Sequence, residues 1–214
     1  ESALKAFKSK DYNTAFKLYE KSATAGDASS QSALSYLYAN GLGTAKDEKK
    51  SIEWLEKAAN GGFANAQYDL GMFYLNGHGV AQSKPKAFEY LTKASDQKHL
   101  DAQYNLALMY YNGDAADKNV SKSAQLLESA ALGGHKVAEQ NVGRVYMQLL
   151  KFKEATKWLE KNAKDGDNSA YYLLAQVNCE LENFKEAKKW ADKAIKAGNK
   201  DAQKLYKKYN LKKY

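Results

Sequence analysis

Three histidines and one cysteine are the side chains of this 214-residue sequence that could ligate a metal or attack a substrate. His99 and His135 occupy equivalent turns 36 residues apart, and His78 falls in a loop. If each turn belongs to a separate helical repeat, neighbouring turns lie on the order of 10 Å apart. A zinc–nitrogen bond is only about 2 Å long. The pattern therefore indicates exposed turn histidines and no metal site.

Cys179 is the one candidate nucleophile, and it stands in a helical pattern with no histidine near it in the sequence. Such a cysteine is typical of a free, partly buried thiol. The sequence also lacks a nucleophile elbow, a Walker loop, a His-Glu-x-x-His motif and a paired-carboxylate signature. We therefore expect a protein that is not an enzyme and that requires no cofactor.

Basic residues are concentrated in the last third of the chain. Residues 151–214 hold 16 lysines against 9 acidic residues, whereas residues 1–150 hold 17 basic and 16 acidic ones. A candidate basic surface at the C-terminal end consists of Lys204, Lys207, Lys208 and Lys212. One alternative function is therefore an anion-binding module for nucleic acid or a membrane surface. Against nucleic acid, these lysines alternate with acidic residues, and the chain has a single arginine, the residue best suited to phosphate contacts.

An internal repeat positions all of these residues. One repeat position is occupied in turn by Ser30, Ala66, Ala102, Ala138, Ala170 and Ala202, with spacings of 36, 36, 36, 32 and 32 residues. A second ladder follows the same steps through Ala15, Ser51, Ala87, Ser123, Ala155 and Ala187. A period in this range is typical of a solenoid. We predict one repeat domain over residues 1–214, with repeats at 1–27, 28–63, 64–100, 101–136, 137–167 and 168–200 and a cap at 201–214.

Each repeat contains two helical patterns with apolar residues three and four apart. In the second to fourth repeats an Asn-Gly loop separates the two helices, and its asparagines are Asn40, Asn76 and Asn112. Asn-Gly is ordinary helix-ending chemistry, which favours a structural role for these asparagines. Small residues such as Gly71 are expected to let two helix axes approach closely.

Residues 64–94 carry the pattern A-x-A-Q-Y-x-L-G-x-x-Y-x-x-G-x-G, followed by K-A-x-x-Y-L-x-K-A. This pattern resembles the Sel-1-like repeat, while the fifth and sixth repeats lack the loop and look closer to the related tetratricopeptide repeat. The resemblance implies an all-α, right-handed solenoid of about six antiparallel helix pairs whose first helices line a concave groove. It also implies a scaffold or adaptor, in many cases bacterial.

By analogy with tetratricopeptide geometry, the resemblance places a set of aromatic, apolar and polar side chains in this groove: Tyr36, Asn40, Tyr68, Met72, Asn76, Tyr104, Leu108, Tyr111, Asn112, Arg144 and Tyr172. Tyrosine and methionine are favoured at interface cores, so the groove is a candidate binding surface. The alternative is that some tyrosines only pack between adjacent first helices, and the matching repeat positions of Tyr68 and Tyr104 favour that alternative.

Together these features predict a non-catalytic scaffold that binds a protein or peptide partner in its groove. A more specific hypothesis is an immunity protein that occludes the active site of a toxin or secreted effector. No apolar run approaches the roughly 18 residues needed to span a bilayer, and the oligomeric state stays open. No signal peptide is visible, but the sequence begins at Glu1 rather than Met. If it is a signal-cleaved mature form, the periplasm is favoured over the cytoplasm.

Overall fold

The computed structural model describes residues 2–214, and over this range it contains thirteen α-helices, one 3₁₀ turn and no strand. The helices are α1 Ser2–Lys8, α2 Tyr12–Thr24, α3 Ala28–Asn40, α4 Glu48–Asn60, α5 Ala64–Asn76, α6 Lys84–Asp96, α7 Leu100–Asn112, α8 Val120–Leu132, α9 Lys136–Gln148, α10 Phe152–Lys164, α11 Ser169–Glu180, α12 Phe184–Lys196 and α13 Lys200–Lys208. The 3₁₀ turn is Leu211–Lys213. The all-α class predicted from the periodicity is therefore confirmed.

The chain forms two compact units, and the division falls between Asp117 and Lys118. Within each unit every helix packs against the next one in the chain. We call the first helix of each repeat an A helix and the second a B helix. The first unit holds the A helices α1, α3, α5 and α7, and the second unit holds the A helices α9, α11 and α13.

The two repeat lengths have a simple structural origin. In the third repeat two 13-residue helices are joined by the loop 77–83 and followed by the turn 97–99. In the fifth repeat the helices keep this length, but only residues 149–151 connect them. The long loops start at glycines in the left-handed region, including Gly41 and Gly77, whose backbone N–H groups close the last turn of the A helix. The predicted loop chemistry is thus confirmed, and its loss shortens the period from 36 to 32.

The N-terminus of most A helices is capped by the side chain that precedes it. Ser30 donates its backbone N–H to Asp27 Oδ2 at 2.8 Å, and Ala202 donates to Asn199 Oδ1 at 3.0 Å. At the same position, His99 Nδ1 accepts from Ala102 N–H at 3.2 Å, and His135 Nδ1 accepts from Ala138 N–H at 3.0 Å. The expectation of exposed turn histidines is wrong for these two residues. They are half-buried helix caps, because Nδ1 of a neutral imidazole can accept a hydrogen bond as a carboxylate does.

Close helix packing within a repeat depends on small residues, as the sequence predicts. A Cβ at Gly71 of α5 would lie 3.0 Å from Leu91 Cγ of α6, so this helix pair can approach only because the side chain is missing. Leu70, Leu91 and Ala94 are completely buried around this contact. The helix pair therefore behaves as one packing unit, whose remaining apolar surface is covered by its neighbours.

The long loops pack against the preceding repeat through their third residue. Gly43 has φ of 71° in the second repeat, and a Cβ there would lie 2.1 Å from the Tyr12 carbonyl oxygen. In the fourth repeat the same position is Ala115, which keeps φ of 64°. A left-handed alanine is strained by roughly 1–2 kcal/mol. The fourth loop therefore holds a geometry that suits glycine better than the residue it contains.

A half-buried carboxylate, that of Glu128, ties the fourth and fifth repeats together inside the second unit. Glu128 on α8 accepts a hydrogen bond from the Tyr146 hydroxyl at 2.6 Å and another from Trp158 Nε1 at 3.1 Å. Tyr146 and Trp158 are 5% and 3% exposed. Desolvation, together with the Glu128 carboxylate, raises the pKa of Tyr146 well above its usual range. The hydroxyl therefore stays protonated and can keep donating to Glu128.

Every helix among the described residues is too short or too polar to traverse a lipid bilayer.

Candidate partner-binding clefts

The A helices of the first unit line a cleft of about 520 Å³. This first cleft is mostly apolar and hydroxyl-bearing, and its lining residues are Leu4, Phe7, Tyr19, Ser29, Ser32, Ala33, Ser35, Tyr36, Ala39, Ser51, Leu55, Phe63, Asp69 and Phe73. Three A helices (α1, α3 and α5) contribute to it, so the helix-pair repeat builds a surface that no single repeat could form.

Large apolar side chains remain exposed on the walls of the first cleft. Tyr36 is 52% exposed and Leu4 is 48% exposed. Tyr36 meets Phe7 edge to face, with ring centroids 6.0 Å apart, and this contact orients the tyrosine ring without burying it. Exposed apolar side chains grouped in a concavity are typical of binding sites for other molecules.

Asp69 is the single carboxylate among the residues that line the first cleft. The Asp69 residue is exposed to solvent, yet the surrounding protein removes enough of the hydration of its carboxyl to raise the pKa of that group. Charge on nearby His99 would act in the opposite direction, but it is the smaller effect. Among residues 2–214 no side chain forms an ion pair or hydrogen bond with this carboxylate. The first cleft thus presents an unpaired negative charge in apolar surroundings.

A second cleft of about 410 Å³ lies beside the loops of the second and third repeats. It is lined by Ala39, Lys46, Glu48, Ser51, Ile52, Met72, Phe73, Asn76, His78 and Gly79, and it shares Ala39, Ser51 and Phe73 with the first cleft. Lys46 Nζ and Glu48 Oε1 are 2.9 Å apart, and the hydrogen bond from Lys46 lowers the pKa of Glu48. The charges of the second cleft are therefore already paired with each other.

The predicted groove residues of the first unit fall into three structural groups. Tyr36 lines the first cleft, whereas Met72 and Asn76 line the second. Tyr68 instead stacks on the His99 ring, with centroids 4.6 Å apart. The Asn40 side-chain amide donates to the Tyr36 carbonyl at 2.9 Å, which is helix-ending chemistry.

The predicted residues on α7 differ in exposure. Leu108 is 38% exposed, whereas Tyr104 and Tyr111 are half-buried and make further contacts. The Asn112 amide donates to Asp114 Oδ2 at 3.4 Å. Neither of the two clefts includes these residues. The face of α7 therefore offers Leu108 to a partner more readily than its tyrosines.

The two predicted groove residues of the second unit are both engaged within that unit. Arg144 Nη2 donates to Ser169 Oγ at 2.6 Å and lies 3.8 Å from Asp167 Oδ2, so it links α9 to the start of α11. The Tyr172 hydroxyl accepts from Gln176 Nε2 at 3.0 Å. Arg144 therefore connects two repeats, whereas the contact of Tyr172 stays within one helix turn of α11.

The candidate basic surface, on α13 and the 3₁₀ turn that follows it, is partly neutralised. Lys204 Nζ lies 2.8 Å from Asp201 Oδ1, which raises the pKa of the lysine, and Lys208 Nζ lies 4.9 Å from the centroid of the Tyr209 ring. Lys207 and Lys212 are exposed. This arrangement is typical of a solvated helix face with local ion pairs.

Cys179 is buried on α11, and burial raises the pKa of its thiol to about 11. A thiol with so high a pKa is almost wholly protonated at neutral pH and is a poor nucleophile. Within the described part of the chain no three metal-type side chains come together.

Sequence reasoning missed two contributors to the first cleft. The first is Asp69, which follows Tyr68 and carries the only acid on a face otherwise rich in tyrosine, methionine and leucine. The second is α1, which adds Leu4 and Phe7. The available signal for Asp69 was a charge at a repeat position that is uncharged in the other repeats, where it holds Ala33, Asn105, Asn141 and Leu173, whereas the contribution of α1 depends on tertiary packing.

The fold and its clefts define a helix-pair repeat protein of the kind that presents a binding surface across several repeats. The sequence profile of the Sel1 repeat matches residues 6–27, 28–63, 64–99, 100–135 and 168–199. The chain therefore belongs to the Sel1 repeat family. The match includes the sixth repeat, which lacks the long loop, but not residues 136–167, where Glu139 replaces the glutamine found at positions 31, 67 and 103.

Solved structures agree with this assignment. A Sel1 repeat protein from Oxalobacter formigenes is 27% identical, with a TM-score of 0.74 over 95% of this chain and 87% of that one. The protective antigen c5321 of uropathogenic Escherichia coli is 27% identical, with a TM-score of 0.64 over 88% of this chain and 42% of that one. An immunity protein of Pseudomonas aeruginosa, Pa5087, is 20% identical with a TM-score of 0.44 over 94% and 75%, a likeness too low to support an argument. No curated protein matches the sequence significantly.

Proposed function

We propose that this protein is a non-catalytic scaffold that binds a protein or peptide partner in the A-helix clefts of its first unit. The observation that carries the proposal is the first cleft, whose walls leave Tyr36 and Leu4 about half exposed. Burying a large apolar side chain completely contributes about 1.5–3 kcal/mol. Two half-exposed anchors therefore provide the apolar contact area that an interface hot spot requires.

The second cleft extends this surface with Met72 and Asn76, and Leu108 adds an exposed apolar residue on α7. Methionine adapts its shape to a partner, and an exposed amide can pair with a partner's backbone. The other predicted groove residues enter the proposal as supports. Tyr68 and Asn40 make intramolecular contacts that shape the helices on which the clefts are built.

Selection from a random-peptide display library tests this proposal. The full chain is the bait, and its peptide pool is compared with that of a Leu4→Ala/Tyr36→Ala variant. Leu132→Ala/Leu150→Ala is the matched control, because these leucines are 69% and 72% exposed but line neither cleft.

We expect peptides selected on the wild type to bind the control variant unchanged and to lose at least tenfold in affinity for the cleft variant. Circular dichroism must show that both variants remain helical. If the selected peptides bind the folded cleft variant as tightly as the wild type, the clefts are not the binding surface and the proposal is wrong.

The immunity-protein hypothesis is a narrower form of the same proposal, in which the clefts would hold a segment of a toxin and block its active site. A gene for a secreted hydrolase beside this gene, and inhibition of that hydrolase by the purified chain, would support it. The alternative anion-binding function is favoured less, because ion pairs such as Lys204–Asp201 and Lys189–Glu186 occupy lysines of the basic third.

A further inference from the structure

We propose that the first cleft selects a partner segment in which one lysine or arginine, flanked by apolar side chains, pairs with Asp69. This inference rests on the proposed function and specifies the chemistry of the partner. It concerns the one charged position of a cleft that is otherwise apolar or hydroxyl-bearing.

The first argument is charge complementarity. Asp69 is unpaired among the described residues, although its neighbours remove part of its hydration. Tyr68, the adjacent residue on α5, stacks on the His99 ring and does not neutralise the charge of Asp69. His99 Nδ1 accepts the backbone N–H of Ala102, so this nitrogen is engaged as a helix cap and makes no hydrogen bond to Asp69. A cation from a partner would supply the interaction that the chain itself does not provide.

The second argument is the composition of the walls. Tyr36, Leu4, Phe7 and Phe73 line the same cleft as the Asp69 carboxylate and give it apolar walls. A lone acid in such surroundings interacts with a cation more strongly than one in open water, because the effective dielectric constant is lower. It also rejects an acidic partner, because a second carboxylate there would be repelled and desolvated. The apolar residues of the partner segment fill the cleft, while its basic residue determines where along the cleft the segment binds.

The third argument is the contrast with the second cleft. There Lys46 and Glu48 already form an ion pair, whereas no lysine or arginine lines the first cleft beside Asp69. The two clefts share the Phe73 wall. A partner segment that spans both clefts would therefore be held by charge in the first cleft and by apolar contact in the second cleft. This difference fixes which end of the segment lies in which cleft.

Peptide display with the full chain also tests this inference. The wild type, Asp69→Asn and Glu53→Gln are used as baits. Asp69→Asn removes the charge with almost no change of shape, and Glu53→Gln is the matched control because it removes an exposed carboxylate on α4 that lines neither cleft.

We expect the wild type and the Glu53→Gln control to select peptides with one lysine or arginine at a fixed position between apolar residues. Asp69→Asn should still select apolar peptides but lose the basic position. A synthetic peptide from the wild-type pool should bind Asp69→Asn about fivefold more weakly, near the upper limit for an ion pair that is not fully buried. Its lysine-to-norleucine analogue should bind the wild type and Asp69→Asn equally.

The inference is overturned if the peptide pools selected on the wild type lack a basic residue at a fixed position. It is also overturned if a lysine peptide binds Asp69→Asn as tightly as the wild type. If such pools still depend on Tyr36 and Leu4, the scaffold function stands and only the charge selection is wrong. If no selected peptide depends on Tyr36 and Leu4, the scaffold proposal is wrong, and the charge selection is wrong with it.

Discussion

Replacing Tyr146 by phenylalanine should destabilise the second unit measurably, although it removes only one oxygen atom. The Tyr146 hydroxyl donates to Glu128 Oε2 at 2.6 Å, a short bond to a charged acceptor. Hydrogen bonds to charged groups contribute about 1.5–3 kcal/mol. Glu128 is half-buried and keeps its bond from Trp158 Nε1. Because water can partly replace the lost hydroxyl, we expect a loss near the lower limit, about 1.5 kcal/mol.

The chain contains its own control for this substitution. Tyr74 has the same offset from Glu56 as Tyr146 has from Glu128, but its hydroxyl lies 3.5 Å from Glu56 Oε1, at the outer limit of a hydrogen bond. Tyr74→Phe should therefore change the free energy of unfolding by less than about 0.5 kcal/mol. Urea unfolding of both variants measures the difference, and hydrogen exchange at α9 and α10 shows whether the loss is local.

The pH dependence gives the Tyr146 prediction a second test. The folded-state pKa of Tyr146 is raised, so its contribution is complete below the ordinary tyrosine pKa of about 10 and is lost as the pH rises further. The stability difference between wild type and Tyr146→Phe should therefore shrink above about pH 10. Equal losses in Tyr146→Phe and Tyr74→Phe at neutral pH would refute the role given to Glu128.

Three further substitutions and one thiol reaction have definite expected outcomes. Asp69→Asn should stabilise the fold at neutral pH by less than about 1 kcal/mol, because the raised carboxyl pKa means that ionisation opposes folding; the gain should vanish in thermal melts below about pH 4. Cys179, with its pKa raised from 9.0 to about 11, should react with a disulfide reagent at least about a hundredfold more slowly in the folded than in the urea-unfolded chain, and equal rates would contradict its burial. Ala115→Gly should leave stability unchanged or raise it by up to about 1 kcal/mol, since relief of strain exceeds the entropy cost of glycine, whereas Gly43→Ala should lower it by more than about 1 kcal/mol in the same urea titration.

The fold could be predicted from the sequence because the repeat length reports the helix and loop lengths directly. The positions equivalent to Ala66 and Ala87 mark the buried face of each A and B helix, so the two ladders specify a helix pair. The Asn-Gly dipeptide marks the end of the A helix, as at Asn76, because the left-handed glycine that follows it stops the helix.

The candidate site was less predictable, because it depends on which side chains of separate repeats meet. Tyr36 and Met72 line the two clefts. Tyr68 stacks on His99 of the next repeat, a contact that a helical pattern alone does not contain. The charge state of Asp69 depends on apolar neighbours from several helices. Periodicity identifies the inward face of each helix, but the environment of one residue on the outer face requires the packed structure.

The capped starts of the A helices have a consequence for how such a chain can change over evolutionary time. Most repeats carry at their boundary an acceptor for their own first backbone N–H groups, such as Asp27, His135 or Asn199, whereas Phe63 before α5 supplies no side-chain acceptor. A segment exchanged between two such boundaries therefore brings its own helix start with it and leaves no orphaned donor at the junction. Duplication, deletion or shuffling of whole repeats is then tolerated locally, and natural variants should differ by whole repeats more often than by fractions of one.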